Sequence, residues 1–424
     1  MTPQPAWIAG IPVHAAALRE GGADFLTAAF RASGALGADN AVRRITECVE
    51  VGGGSTGRKL LLGVEYQQAD PALHRDLFVK FSRDLDDPVR DRGRTQMQLE
   101  VRFARLSRAA GFPIAVPACY HADYDEASGT GVLITQRIAY GRNGIEPHYP
   151  KCLDHRLPDP LAHYEALLRS LARLAGAHRA GRLPAALCAQ LPFDPAAASG
   201  VERAPYTAQQ LQTRVDRYAA FAAQHPQLLS ANIRAADFIA RLRREAVAFA
   251  GQQAGIRAAL NGNVAHIALC HWNANIDNAW FWRDAAGELQ CGLMDWGCVG
   301  PMNLAMALWG ALSGAESGLW DKHLDGLLVM FSAEFETRSG VALELATLRR
   351  ELMLYVAIMG LNWLLDVPAY LATVVAELAR VQDRHDPRIE DNEAARTSLT
   401  MLGNFLNLWE TQDFGALLRR YEAA

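Results

Sequence analysis

His271-Trp-Asn-Ala-Asn-Ile-Asp-Asn278 runs directly into Ala279-Trp-Phe-Trp-Arg283, and Cys291-Gly-Leu-Met-Asp-Trp-Gly297 follows after a polar interval. The order reads as a loop, a strand, a tight turn at Asp284–Gly287, and a second strand that delivers Asp295 at its end. The loop holds more polar side chains than a hairpin with a capping aspartate needs. Asn278 and Asp295 are placed to converge as oxygen ligands. Hard divalent ions such as Mg²⁺ take carboxylate and amide oxygens together with phosphate oxygens.

Working upstream, the first 140 or so residues are rich in strand signals. Arg44–Val51, Leu60–Gln67 and Leu77–Ser82 alternate as strands, Thr95–Ala109 has helical spacing, and Ile114–Tyr120 and Gly131–Ile138 read as two more strands. The turn between the first two strands is Gly52-Gly-Gly-Ser-Thr-Gly57. Backbone without Cβ atoms can approach a phosphate closely and aim N–H groups at it, although a plain hairpin loop accounts for the glycines equally well. No Lys-Ser or Lys-Thr follows at the head of a helix, which excludes a Walker A loop. Lys80 lies mid-strand on the same face as Phe78, where an ammonium needs a partner or open solvent. Glu100 is the only acidic residue between Thr95 and Ala118, and it sits mid-helix. A strand lysine paired with a helix glutamate is the arrangement that aims an amine at nucleotide phosphates.

Taken in order, these parts resemble the aminoglycoside phosphotransferase and choline kinase-like family, over roughly residues 40–310. His271–Asn278 is similar to that family's H-G-D-x-H-x-x-N loop, and Asp295-Trp296-Gly297 to its metal motif. The resemblance implies an α+β, two-lobed protein-kinase-like fold. Residues 1–138 would form a small nucleotide-binding lobe with a helical N-terminal extension and a five-stranded antiparallel sheet, and residues 139–424 a larger, mostly helical lobe. It implies that Lys80, oriented by Glu100, holds the phosphates of ATP or GTP, and that Gly52, Gly53, Gly54, Ser55, Thr56 and Gly57 cover them. Gln136 and Ile138, on the hinge strand Leu133–Ile138, would meet the nucleotide base. Asn278 and Asp295 would bind Mg²⁺, and His271, Asn273 and Asp277 would make up the catalytic loop. The Leu161–Arg179 stripe resembles the long helix beneath the cleft.

The loop departs from the family pattern twice. Asn273 stands where the catalytic aspartate is expected, and Asn275 where a second histidine is expected. An amide cannot take the proton of a substrate hydroxyl, and general-base help is worth about 10²–10⁴-fold. Phosphoryl transfer, however, depends mostly on positioning and charge neutralisation. Asp277 taking over as base, a nucleotide-binding pseudokinase, and a deliberate Asp→Asn change all fit a single replacement, and the double departure favours a natural subgroup. The expected activity is therefore ATP-dependent phosphorylation of a small-molecule hydroxyl. A silent nucleotide- or small-molecule-binding protein and a variant transfer such as nucleotidyl transfer are the alternatives.

Composition sets the outer bounds. The 424 residues are 50% hydrophobic and 21% charged, which excludes a disordered or collagen-like chain. Lys and Arg number 42 against 46 Asp and Glu, without a basic cluster, so no nucleic-acid partner is expected. The charged stretch Arg83–Arg94 reads as a solvated loop. Seven scattered cysteines without a C-x-x-C pair point to a reducing, cytoplasmic setting. The N-terminus lacks the pattern of a signal peptide. Leu352–Leu365 is apolar but short, carries Asn362, and reads as a buried helix, so no membrane span is expected. His178 reads as a satisfied core histidine. Asp321, Asp325, Asp366 and Glu377 are not clustered, which argues for an acceptor that is not strongly cationic. The sequence does not fix the oligomeric state.

Overall fold

A computed structural model describes residues 6–53, 56–195 and 206–422. The chain divides into two compact units. The first comprises residues 1–145, 181–192 and 292–299, and the second residues 146–180, 193–291 and 300–424.

The first unit opens with two short strands, β1 (Trp7–Ile8) and β2 (Ile11–Pro12), and a helix α1 (Ala15–Ala32). A helical N-terminal extension was expected from the sequence. The structure forms it over Ala15–Ala32 with a kink at Gly22, whose φ of +57° is one that glycine adopts readily. Five strands follow: β3 (Val42–Val51), β4 (Arg58–Tyr66), β5 (Asp76–Phe81), β6 (Cys119–Asp125) and β7 (Thr130–Gln136). Two helices, α2 (Pro88–Asp91) and α3 (Gln96–Leu106), lie between β5 and β6. The sheet is antiparallel throughout, in the order β3-β4-β5-β7-β6.

Strand alternation sorts its side chains between two faces. Leu60, Leu62 and Val64 of β4, Leu77, Val79 and Phe81 of β5, and Val132 and Ile134 of β7 pack against Leu18, Leu26 and Phe30 of α1. Each such side chain contributes about 1.5–3 kcal/mol on burial. On the opposite face Leu133 packs with Ala104 of α3, and Lys59, Leu61, Phe78 and Lys80 are half-buried. The N-terminal helix thus seals one face of the sheet, and Lys59 and Lys80 lie on the other.

Strand β6 begins five residues later than the expected Ile114. Pro113 and Pro117 flank that segment, and proline has no N–H to give a ladder. Only Ala115 makes a bridge there, to Gly292.

The second unit is mostly helical. Helix α4 (Pro160–Arg179) starts at Asp159, whose carboxylate accepts the N–H of Ala162. Helices Ala208–Gln224 and Ala236–Gly262 follow. Strand β8 (Ile267–His271) is buried along its whole length and pairs with β11 (Val299–Asn303), while β9 (Ala279–Arg283) and β10 (Leu289–Leu293) form the expected hairpin. The apolar helix Leu345–Trp363 is longer than its most apolar stretch suggested. The run Leu345–Val374 is long and apolar enough to cross a membrane, but 78% of its most apolar window is buried inside the protein. Its polar groups are met internally: Asn362 donates to Gln253 at 2.9 Å, and Glu351 accepts from His266 and Asn263, each at 2.6 Å.

The first unit is built on a five-stranded antiparallel sheet and the larger second unit is mostly helical, the α+β composition expected from the sequence.

Candidate functional site

In the first unit three charged side chains meet. Lys80 Nζ on β5 donates to Glu100 Oε1 on α3 at 2.6 Å and to Asp295 Oδ1. The Lys80 side chain is only 16% exposed, and Asp295 remains 51% exposed. Burial alone would lower the Lys80 pKa. The charges of Glu100 and Asp295 outweigh it and raise the ammonium above its ordinary value, so it stays protonated. Burial pushes the Glu100 carboxyl up, Lys80 pulls it back and the second carboxylate raises it again, leaving it above the usual range.

Backbone geometry aims Asp295. It adopts φ 63°, ψ 61°, a left-handed conformation that aspartate tolerates better than most residues. The following residue locks it in place. The Trp296 ring stacks on Phe103 of α3 with centroids 3.8 Å apart, its N–H bonds the Glu100 carboxylate, and its indole N–H donates to the Leu293 carbonyl at 3.1 Å.

The glycine loop borders this cluster. Gly57 has φ +53°, and a Cβ there would run into the Phe81 carbonyl oxygen, so the loop re-enters β4 through a position only glycine fits. Gly52 and Gly53 are exposed and Thr56 is half-buried. Gly54 and Ser55 lie outside the described residues. The stretch expected to be a solvated loop instead forms an ion-pair network beneath the glycines. Buried Asp84 accepts from Arg58 at 3.0 Å and lies in an ion pair with Arg90 at 3.2 Å, and Arg83 forks onto Asp91 at 2.7 and 3.0 Å. Arg90 also donates to the Gly57 carbonyl at 2.6 Å. Opposite charges a few residues apart can neutralise one another in a fold, which composition alone does not reveal.

At the end of β7, Gln136 N–H donates to the Ala118 carbonyl at 2.8 Å, and its side chain accepts from Ala118 N–H. That N–H is committed to the protein. Ile138, two residues on, is buried beyond the ladder.

In the second unit the loop after β8 is held by its own amides. Asn275 Nδ2 donates to Asn273 Oδ1 at 2.7 Å, and Asn278 Nδ2 donates to the Asn273 carbonyl at 2.8 Å. His271, fully buried, accepts the Asn273 N–H on Nδ1 at 3.2 Å, which places its ring proton on Nε2. The network orients every amide. Asn273 turns its oxygen toward Asn275 and keeps its NH₂ end as a donor, while Asn278 commits its NH₂ and keeps its oxygen as an acceptor. Trp272 anchors the loop through an indole bond to Tyr355 Oη at 2.8 Å, and Gly310 lies against its carbonyl where a Cβ would not fit. Asp277 lies beside Lys151, with Nζ to Oδ2 at 3.8 Å, and its carbonyl contacts His148 Nε2 at 3.0 Å. Its Oδ1 is buried without a hydrogen-bond partner. Burial pushes the Asp277 carboxyl above its ordinary value, and Lys151 offsets part of the rise.

The structure therefore joins Lys80, Glu100 and Asp295 in one unit, and His271, Asn273, Asn275 and Asn278 in the other. It also adds Lys59 on β4, which pairs with Lys80 in the ladder and was not singled out from sequence. Arg58-Lys59 looks like an ordinary basic pair at a strand start, and only the register reveals its neighbour. His178 differs from expectation as well: its Nδ1 is buried with no partner. The four acidic residues singled out from the sequence are each engaged. Asp366 pairs with Arg214 at 2.9 Å, Asp325 with Arg349 at 3.3 Å, Glu377 with Arg380 at 2.9 Å, and Asp321 accepts from Asn407 at 2.7 Å.

No family model matches the chain, and no curated protein matches its sequence. Among solved structures it is similar to a choline kinase from Cryptosporidium parvum Iowa II, with 11% identity over 88% of this chain and 92% of that one and a TM-score of 0.45. A Plasmodium vivax ethanolamine kinase matches with 12% identity, 86% and 83% coverage and a TM-score of 0.42. A spectinomycin phosphotransferase in complex with ADP and spectinomycin matches with 10% identity, 86% and 94% coverage and a TM-score of 0.40.

Proposed function

We propose that the chain is a nucleotide-dependent phosphotransferase of the aminoglycoside phosphotransferase and choline kinase-like kind, acting on a hydroxyl of a small molecule. The observation that carries this reading is the Lys80 ammonium held between buried Glu100 and half-exposed Asp295. A lysine fixed by one carboxylate and adjoined by a second, solvent-facing one is suited to a polyphosphate and its metal. The donor chemistry fits Mg²⁺: Asp295 offers an exposed carboxylate, and Asn278 offers the amide oxygen left by its bond to Asn273. When bound, the ion would neutralise charge on the phosphates.

Each residue then has a defined task. Lys80, positioned by Glu100, holds nucleotide phosphates, and the glycine loop covers them. The acceptor oxygen forms a bond to the terminal phosphorus as the bond to the bridging oxygen breaks, and a nucleoside diphosphate leaves. Asn273 offers its NH₂ to an oxygen of the reacting groups and takes no proton. The hydroxyl proton goes to Asp277, whose raised pKa suits a general base. Because Asp321, Asp325, Asp366 and Glu377 are engaged with partners, an acceptor without strong positive charge fits better than a polyamine.

The experiment is thermal denaturation with and without Mg·ATP or Mg·GTP. Ligand at 100 times Kd stabilises the folded state by about 2.7 kcal/mol. Slow nucleotide hydrolysis should accompany binding and vanish in Asp295→Ala. No stabilisation by either nucleotide overturns the reading. A second reading, a nucleotide-binding protein without turnover, is favoured by the engagement of Asn273 Oδ1 with Asn275. Tight binding with no product from a broad panel of hydroxyl compounds supports it.

A further inference from the structure

Lys59 sits directly across from Lys80 in the β4–β5 ladder. Cross-strand partners project from the same face, and like charges there are unfavourable unless something compensates them. Lys80 is compensated twice, by Glu100 and Asp295. Lys59 forms no ion pair among the described residues. Its single bond runs from Nζ to the Gly53 carbonyl at 2.7 Å, in the glycine loop. Arg90 Nη2 reaches the same carbonyl at 3.3 Å. Two cations therefore converge on one neutral oxygen of the loop, and half-buried Lys59 is the one whose charge remains unanswered.

We infer that Lys59 is a second phosphate ligand of this site, gripping the nucleotide polyphosphate beneath the glycine loop alongside Lys80. The inference rests on the nucleotide-binding reading above and adds a residue to it. A triphosphate brings several negative charges to a place where Lys80 is already neutralised, and Lys59 supplies the missing counter-charge. Its bond to Gly53 ties the cation to the loop, so binding and loop position are linked through one side chain. The groups facing it are Lys80 on β5, Glu100 on α3, Asp295 and Arg90. Burial, then Lys80 and Arg90, lower the Lys59 pKa, while Asp295 and Glu100 oppose the fall.

The test measures Kd of nucleoside, mono-, di- and triphosphate with Mg²⁺, in the adenine and guanine series, for wild type, Lys59→Met, Lys59→Arg and Lys80→Met. Lys59→Met should weaken the triphosphate by about tenfold or more and leave the nucleoside within about twofold. Wild-type triphosphate affinity should decline as pH rises and the lysine, its pKa lowered, loses its proton earlier than an exposed one would, and Lys59→Arg should bind without that decline. A Lys59→Met protein that binds the triphosphate as wild type does overturns the inference. So does equal weakening of nucleoside and triphosphate, which marks a loop tether only. Wild-type binding that Lys80→Met weakens and Lys59→Met does not leaves the function standing and removes only Lys59. Wild-type protein that binds neither series removes both.

Discussion

Asn273 shows how much one amide's orientation decides. Its oxygen accepts from Asn275 and its backbone carbonyl accepts from Asn278, so the side chain keeps its NH₂ as a donor. A carboxylate at 273 would accept the same bond from Asn275 and still have an oxygen able to take a proton. Asn273→Asp should therefore fold normally, and a rise in acceptor phosphorylation of about 10²–10⁴-fold in it would overturn the assignment of Asp277 as base. If Asp277 already fills that role, Asn273→Asp changes little. Asp277→Asn then lowers turnover by a similar factor while nucleotide Kd holds. Wild-type rate should rise with pH through the elevated Asp277 pKa, because a base acts only when deprotonated, and that limb should disappear in Asp277→Asn. Steady-state rates across pH for the three proteins decide the matter. The identity of Asn273 was legible in the sequence. The bond that turns its oxygen away was not, because amide orientation follows from neighbours such as Asn275 rather than from residue type.

At the scale of elements, period-two alternation made β3, β4, β5 and β7 legible, and helical spacing did the same for α3 and α4. Two segments were misread for physical reasons. The apolar run at 114–118 looked like a strand, but its flanking prolines cannot complete a ladder, and pairing starts at Cys119. The Arg83–Arg94 stretch looked solvated because its charges are numerous. In the fold they cancel pairwise around Asp84 and Asp91, and Arg90 reaches up to hold the loop carbonyls. This clamp makes Gly57 the sensitive position of the loop. Gly57→Ala must displace backbone at Phe81, since no side-chain rotation relieves the clash, and its φ is unfavourable for alanine. The expected loss is about 2–4 kcal/mol, combining overpacking with backbone strain. Urea denaturation checks it, and a midpoint equal to wild type would mean that the turn relaxes without cost.

For the whole molecule, the class of fold was legible because strand-rich and helix-rich texture separate along the chain. That Gly292–Val299 folds with the first unit, bringing Asp295 to Lys80, carries no local signal, since the contact spans more than 200 residues. The same limit hides Asp154. It lies in a polar stretch, yet in the second unit it is buried, bonded by the Glu316 N–H at 3.0 Å and by Tyr164 Oη at 3.2 Å. Burial raises its carboxyl to about 6, against the bonds that favour the anion. A carboxyl whose folded pKa exceeds its unfolded one stabilises the protein most below the unfolded value, and that contribution is lost as pH rises through the folded value. The window is therefore about pH 4 to 6, and the loss amounts to about 3 kcal/mol by neutral pH. Asp154→Asn keeps an oxygen for the Glu316 N–H and an NH₂ for Tyr164, and cannot ionise. Its melting temperature should approach that of wild type near pH 4 and exceed it by a few degrees at pH 7–8. Curves that stay parallel across the range would show that the buried carboxylate is held without penalty by its two donors.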